Sequence, residues 1–396
     1  MAGALTGLKV VELSTMIAGP LCGQFLADHG ATVIKVESPA GDPARDAPPQ
    51  LGGVGAYYAG MNRNKSVLAL DLKQQAGRDV LWRLLADADV FVENLLPGTL
   101  TRWGLDYAAL SARLPRLVHC SVTGFGTDGP LGGRPGYDAV VQAYCGLMSV
   151  NGQPGTGTTR MGVAIVDIAT GMNAGMGVLL ALAARERSGR GQYVDVTLYD
   201  SALALLHPFA SNWFGSGETA GPVGNGHPTL VPYDKFKTRD GEMFIGVAVP
   251  GQFRRLMQLL GRPELGTDPR FATGPGRVAN RAALYAILEP LVAEHDTFEF
   301  SERLMAAGVP AAPVHTVPQA LSAPHTLHRG MRVEMSNGYR GVGLPVKLSD
   351  TPGEALTPPR HFSADSDAIL AGHGYSADEI ATLRVQNVLP SERAPG

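Results

Sequence analysis

The chain has 396 residues, of which 44% are hydrophobic and 17% charged, and its formal net charge is -3. That balance supports a large buried core and excludes global disorder. The length suits two domains, or one large α/β domain with a lobe. The small net charge excludes whole-chain attraction to nucleic acid or anionic lipid, so neither is expected as a partner.

In chain order, Leu8–Leu13 reads as a buried strand, and Ala18-Gly19-Pro20 opens a helical pattern that runs to His29. A second strand follows at Ala31–Glu37, then a strand at Ser66–Leu72, a helix at Gly77–Ala86 and a strand at Asp89–Glu93. The alternation of strand and helix predicts a parallel, Rossmann-like sheet. Leu117–Val122 is another strand and leads into a loop, Gly124–Gly136, too rich in glycine for regular structure. Tyr137–Val150 is expected to be helical. Val163–Arg187 reads as a long helix stopped by Gly189 to Gly191, and we expect it to be buried in a soluble protein rather than to span a membrane, because it carries Asp167, Thr170 and Asn173. A strand at Tyr193–Leu198 and a helix at Ser201–Trp213 close this part of the chain.

The segment Gly215–Pro232 is rich in Gly and Pro and marks a boundary. Beyond it come a strand at Met243–Val249 and helices at Gln252–Leu260, Arg281–Glu294 and Phe300–Ala307. We therefore expect a large Rossmann-like domain over 1–220, with a returning segment 331–396, and a smaller α+β domain over 221–330. A last helix is expected at Ala377–Val385.

Several chemistries lack their signatures. The loop after the first strand has no GxGxxG, and the GxGxxA match at Gly274–Ala279 follows no strand, so a dinucleotide cofactor is not expected. There is no P-loop, no GxSxG and no dense His/Cys/Asp cluster for a metal. Cys22, Cys120 and Cys145 lie far apart without a CxxC pair, and MAGALTGLKVVELS lacks the basic start and apolar core of a secretion signal. Both point to the cytoplasm.

What remains is more specific. Lys73 follows the strand ending Leu70-Asp71-Leu72, and Asn94, Leu95 and Arg102 follow the strand ending at Glu93. The carboxyl ends of strands are where open α/β sheets bind ligands, and lysine and arginine there suit phosphates. Surface charges are the plain alternative. Asp167 sits in the apolar run Gly162–Ile168. It is either a helix cap or hydrogen-bonded buried carboxylate, or an ionised nucleophile in a partly dry site, which the dipole and free N–H groups of a helix N-terminus would favour.

Nine segments in register resemble the family III (CaiB/BaiF-type) coenzyme A transferases: GLKVVELS–AGP, VIKVE, MNRNKSVLALDLK, ADVFVENLLPG, SVTGFGTDGP, VDIATG, RSGRGQYVDVTLYDS, GNGHPTLVPYDKF and AAGVPAAPVH. The resemblance implies a Rossmann-type large domain, a smaller domain and an interlocked homodimer. It implies acyl-CoA and a small organic acid as substrates, with no tightly bound cofactor. It places the nucleophile on Asp167, with Tyr137 and Asp138 beside it and a mobile glycine loop carrying Gly224 and Gly226. CoA contacts fall on Thr15, Ile17, Ala18, Leu70, Lys73, Asn94, Leu95 and Arg102. One basic contact of the family is Ser38 here. Related racemases in the family use a histidine where this chain has Tyr137, and a phenol with an ordinary pKa near 10 is a poor base for an α-proton. That substitution favours a transferase over an α-methylacyl-CoA racemase, and the overall likeness to the family implies a dicarboxylate such as succinate as one of the acids.

Overall fold

The computed structural model describes residues 3–336 and 338–390. It divides into two compact units. The larger takes in the chain up to Leu147, Met161–Pro208 and the chain from Pro324; the smaller takes in Met148–Arg160 and Phe209–Ala323.

The larger unit is built on six strands: β1 Lys9–Leu13, β2 Thr32–Glu37, β3 Lys65–Ala69, β4 Val90–Glu93, β5 Val118–Thr123 and β6 Tyr193–Thr197. All pair in parallel, in the order β3-β2-β1-β4-β5-β6. This is the doubly wound order in which the winding direction reverses between the first and fourth strands, leaving a crevice beyond their carboxyl ends. Both faces are covered, which explains the nearly continuous apolar runs in the strands. Val10, Val92, Cys120 and Val122 pack on one face against helices α1 (Ala18–Asp28) and α4 (Ile165–Ser188). Val11, Leu13, Leu68 and Phe91 pack on the other against helix α2 (Gln75–Ala86) and the returning residues Ile369, Leu370, Ile380 and Leu383.

Two of the apolar-looking strands carry buried charge. Glu12 on β1 stands 3.0 Å from Lys35 on β2 and 2.7 Å from Lys65 on β3, with all three side chains out of solvent. Lys35 also reaches Asp42 at 3.1 Å and donates to the Ser14 carbonyl at 2.6 Å. Lys65 donates to the Pro20 carbonyl and to Asn62 Oδ1, each at 2.8 Å. Burial opposes the charge on Lys35, but Glu12, Asp42 and Glu37 outweigh it and hold its pKa above the ordinary value. At Lys65 burial wins over Glu12, and its pKa falls to about 8. This cluster pins the start of α1 to three strands. It also requires Gly23, because a Cβ there would stand 1.8 Å from Glu12 Oε2.

Helix α4 was expected to be buried, and only one face of it is. Val166, Thr170, Ala174, Val178 and Ala181 face the sheet and α1, whereas Met172, Met176 and Leu180 are exposed. It is long and apolar enough to cross a membrane by length and composition alone, yet a face at helical spacing is spent on the sheet. Gly189 in the left-handed conformation ends it, as the glycines there predict.

Two other expected helices are broken. Tyr137–Val150 splits into α3 (Asp138–Tyr144) and Leu147–Val150, with Gly146 at φ +90° between them. Ser201–Trp213 splits into Leu198–Ala204 and Phe209–Ser216, since Pro208 removes an N–H that a continuous helix needs. The smaller unit has an antiparallel sheet of β7 (Tyr233–Lys237), β8 (Glu242–Gly246) and β9 (Ala311–Pro313) in the order β9-β8-β7. Its core gathers Phe236, Met243, Phe253, Leu284 and Phe300. The sequence reading found only the middle strand. Tyr233–Lys237 mixes charged and aromatic residues without alternation beside a Gly/Pro-rich segment, and Ala311–Pro313 is three residues long.

Gly23→Ala should destabilise the larger unit by about 1 to 3 kcal/mol, the usual cost of overpacking a rigid core. Gly60→Ala, where no atom lies closer than 3.6 Å to the new Cβ, should be nearly neutral. Thermal unfolding of the two variants checks this; equal midpoints would contradict the packing argument.

Candidate active site

Two helix N-termini converge on one carboxylate. Asp138, the first residue of α3, is buried, and its Oδ2 accepts the Val166 N–H at 2.8 Å and the Asp167 N–H at 3.3 Å. These are orphan amides in the first turn of α4, whose own N-cap position, Ala164, has no side chain that can accept them. Asp138 Oδ1 accepts from Gln142, and Gln142 Oε1 accepts the Met161 N–H at 2.9 Å. Asp138 thus caps a neighbouring helix through space.

Asp167 lies in the same first turn of α4 and is half-buried. Its pKa is raised to about 6, first by burial and then by the Asp138 charge. The expectation that the helix N-terminus would favour the Asp167 anion is therefore corrected. Asp138 occupies the Val166 and Asp167 amides, so the dipole stabilises Asp138 instead. An acid with a pKa of about 6 is still roughly 90% ionised at pH 7. It is a better nucleophile than an ordinary carboxylate, because its charge is less well solvated.

Tyr57, which was not expected from the sequence, lies within electrostatic reach of these two carboxylates. Its side chain is 43% exposed, and its pKa is raised by burial, then by Asp167 and Asp138. The pair Tyr57-Tyr58 was the available signal: Tyr58 is fully buried and donates to Glu37 Oε1 at 3.0 Å, which leaves Tyr57 turned outward. Tyr137 is 71% exposed and immediately precedes Asp138.

The loop from β1 to α1 is shaped by Asn94. Its Oδ1 accepts the Thr15 N–H and its Nδ2 donates to the Thr15 carbonyl, both at 2.9 Å. Asn94 follows β4, so this pair spans the crevice where the winding reverses. Met16, next in the loop, sits at φ +69° and donates its N–H to Asp42 at 3.2 Å. The α4 helix meets the start of α1 at Gly171, where a Cβ would lie 2.8 Å from the Ala18 carbonyl. One turn separates Gly171 from Asp167, so this close approach ties the acid to the crevice loop.

Beyond the ends of β1, β2 and β3 lies a mainly apolar cavity of about 520 Å³, a volume suited to a small-molecule ligand. Thr15, Leu70, Lys73 and Leu95 line it, together with Ser38 and Trp103. Of the other expected CoA contacts, Ile17 and Ala18 are buried and do not line the cavity. Asn94 holds the loop, and Arg102, the residue before the cavity-lining Trp103, is exposed and donates to Thr99 Oγ1 at 2.9 Å. Gly224 and Gly226 belong to the smaller unit. Gly224 is at φ +66° and donates its N–H to the Gly152 carbonyl at 2.9 Å, and Arg281 holds the His227 carbonyl at 2.6 Å.

The model of CoA-transferase family III matches residues 5–364. The chain belongs to this family. The succinate–glutarate CoA-transferase of Agrobacterium fabrum is 36% identical over 93% of the chain and 95% of that protein. The human succinyl-CoA:glutarate CoA-transferase is 37% identical over 92% of the chain and 85% of that protein. The crystal structure of a CaiB/BaiF family protein from Brucella suis superposes with a TM-score of 0.85 at 39% identity, covering 94% of this chain and all of that one. The fold class read from the sequence, a Rossmann-type parallel sheet with a CaiB/BaiF arrangement, agrees with that likeness, and as a family III enzyme the chain takes CoA thioesters as substrates.

The raised pKa of Asp167 has a stability consequence. Its folded value of about 6 lies above the ordinary 3.8, so the folded state holds the proton more tightly than the unfolded chain does. The penalty is absent below about pH 3.8 and complete above about pH 6. Asp167→Asn should therefore stabilise the protein at pH 8, by up to about 3 kcal/mol, and give little gain at pH 4. Thermal melts at the two pH values check it; a gain of equal size at both would contradict it.

Proposed function

We propose that this chain moves CoA from an acyl-CoA donor to a free carboxylic acid, with Asp167 as the covalent nucleophile. The observation that carries the reading is Asp167 itself: an acid made hard to ionise by burial and by Asp138, yet ionised at neutral pH, on a helix tied to the crevice loop.

The Asp167 carboxylate attacks the thioester carbonyl, and the C–S bond breaks. This gives an acyl–aspartyl anhydride and CoA thiolate. The thiolate attacks the aspartyl carbonyl, which forms an aspartyl-CoA thioester and releases the donor acid as carboxylate. The acceptor carboxylate then attacks that thioester, giving a second anhydride and freeing the thiolate. Attack of the thiolate on the new acyl carbonyl yields the product thioester and regenerates Asp167. The thioester bond is exchanged at each stage, so no ATP is consumed.

Each tetrahedral intermediate carries an oxyanion that needs donors in a site with little water. The hydroxyl of Tyr57, on which the Asp167 and Asp138 charges act, is proposed for that task, and so is that of Tyr137, the residue before Asp138. The backbone of the Gly224–Gly226 loop is proposed as a further source of donors. Asp138 is a positioning residue, since it fixes the first turn of α4 and sets the charge that Asp167 feels. The 520 Å³ cavity is proposed to take the nucleotide end of CoA, with Lys73 and Arg102 on its phosphates. Tyr137, where the family's racemases have histidine, supports transfer over α-proton abstraction.

We further propose a dicarboxylate such as succinate as one of the acids, in keeping with the activities named for the Agrobacterium fabrum and human relatives. An interlocked homodimer is also proposed. The exposed stripe of Met172, Met176 and Leu180, spaced four residues apart on α4, suits burial against a second copy. A cytoplasmic location fits the three cysteines, all free and buried.

Incubation with succinyl-CoA and hydroxylamine, followed by peptide mass spectrometry, should find the hydroxamate on Asp167. Asp167→Ala should lose at least about 10³-fold in transfer rate, as expected when the group that forms the covalent intermediate is removed. A modified residue elsewhere, or retained activity in the variant, would refute the mechanism. The acylation rate of the native enzyme should rise with pH through about 6 and level off above it, and Asp138→Asn should move that rise to lower pH. Leu180→Glu should shift the protein toward monomer in light scattering; an unchanged dimer would remove α4 from the interface.

A further inference from the structure

On the sheet face opposite α4, residues of β4, β5 and β6 line a second, partly open cavity of about 180 Å³. A cavity of about 150 Å³ admits benzene, so this one has room for a ligand of six to eight heavy atoms. His119 and Glu93 line it, and they are only 3% and 4% exposed. The His119 ring makes no hydrogen bond from either nitrogen. Its Nε2 stands 3.5 Å from Glu93 Oε1, beyond ordinary hydrogen-bonding distance, and the other Glu93 oxygen accepts the Leu95 N–H at 2.8 Å. A buried imidazole with two unused nitrogens is costly unless something else bonds it.

The walls say what that partner is. The described lining holds two carboxylates, Glu93 and Asp106, and no lysine or arginine. Its aromatic side is a cluster of rings: His119 lies 5.1 Å from Tyr193 and 6.3 Å from Tyr107, and the two tyrosines are 5.4 Å apart. Ser121 adds a hydroxyl that bonds to Tyr193. Carboxylate and neutral imidazole accept hydrogen bonds from an N–H group, and tyrosine faces attract a cation. A phosphate or carboxylate ligand would meet two like charges. Among the described residues no group of three His, Cys, Asp or Glu side chains is placed to hold a metal.

We propose that this cavity is a binding site for a small organic ammonium ion, held between Glu93 Oε1 and His119 Nε2 and capped by Tyr107 and Tyr193. The site shares only Leu95 with the cavity assigned to CoA. Nothing in the transfer chemistry uses His119 or Glu93.

The test is a titration of the full-length protein with n-butylamine and with 1-butanol, its neutral isostere, at pH 7. Imidazole resonances are followed by NMR, with His119 assigned from a His119→Gln variant. The amine should shift the His119 signal saturably, and 1-butanol should bind about tenfold more weakly or less. Glu93→Gln should cut amine affinity by a similar factor while keeping the acceptor for the Leu95 N–H. Equal response to amine and alcohol, no saturable shift of His119, or a shift produced by zinc and not by the amine would each overturn the assignment. The comparison of amine with alcohol on the native protein stands even if a variant folds poorly.

Discussion

The Asp138 carboxylate, bonded to the first-turn amides of α4, is the contact on which the site depends. A helix start needs an acceptor, and α4 has none at its own N-cap, where Ala164 stands. Asp138 supplies it from another helix at 2.8 Å and 3.3 Å. The same bonds position Asp167, deny it those donors and set a negative charge beside it. A single structural interaction thus fixes the place of the acid and also raises its pKa. Satisfying the backbone while leaving a neighbouring carboxylate poorly solvated is a common way for a fold to shift a pKa.

The rest of the larger unit holds that arrangement rigid. Three buried side chains, Glu12, Lys35 and Lys65, lock the strands under the start of α1, and Gly23 lets the helix close over them. Gly171 brings α4 down onto the Ala18 carbonyl of the same helix. Asn94 ties the crevice loop to β4 through both polar groups of Thr15. Buried ion pairs add little net stability once desolvation is counted, but losing one partner leaves an uncompensated charge. The cluster therefore acts less as a source of stability than as a constraint on which packing is allowed.

The polar surroundings of the sheet divide by face. Beside β1 and α1 the buried charges are paired, and the cavity beyond the first three strands is mainly apolar. On the opposite face, around His119, the described lining offers the carboxylates no lysine or arginine, and the imidazole has no hydrogen bond. The difference separates groups that the fold has neutralised from groups left for something else to neutralise.

Much of this was legible in the chain. The alternation of apolar strands with amphipathic helices established a parallel sheet, because a strand buried on both faces and a helix buried on one leave different periodicities. The order of nine motifs indicated the family and named Asp167, Asp138 and Tyr137 as candidates. What depends on sequence-distant contact was not legible. The period of an apolar strand does not reveal that Lys35 and Glu12 meet inside it. The breaks at Gly146 and Pro208 depend on where the chain must turn to pack, and β7 and β9 form through pairing with β8 rather than through their own pattern. Tyr57 could be singled out only once Tyr58 was seen to be buried. The sequence by itself determined which residues could do chemistry, since that is a matter of side-chain type and local pattern. Only the tertiary structure decided that Asp138 takes the helix amides and leaves Asp167 without them, because a pKa is set by neighbours brought together in space.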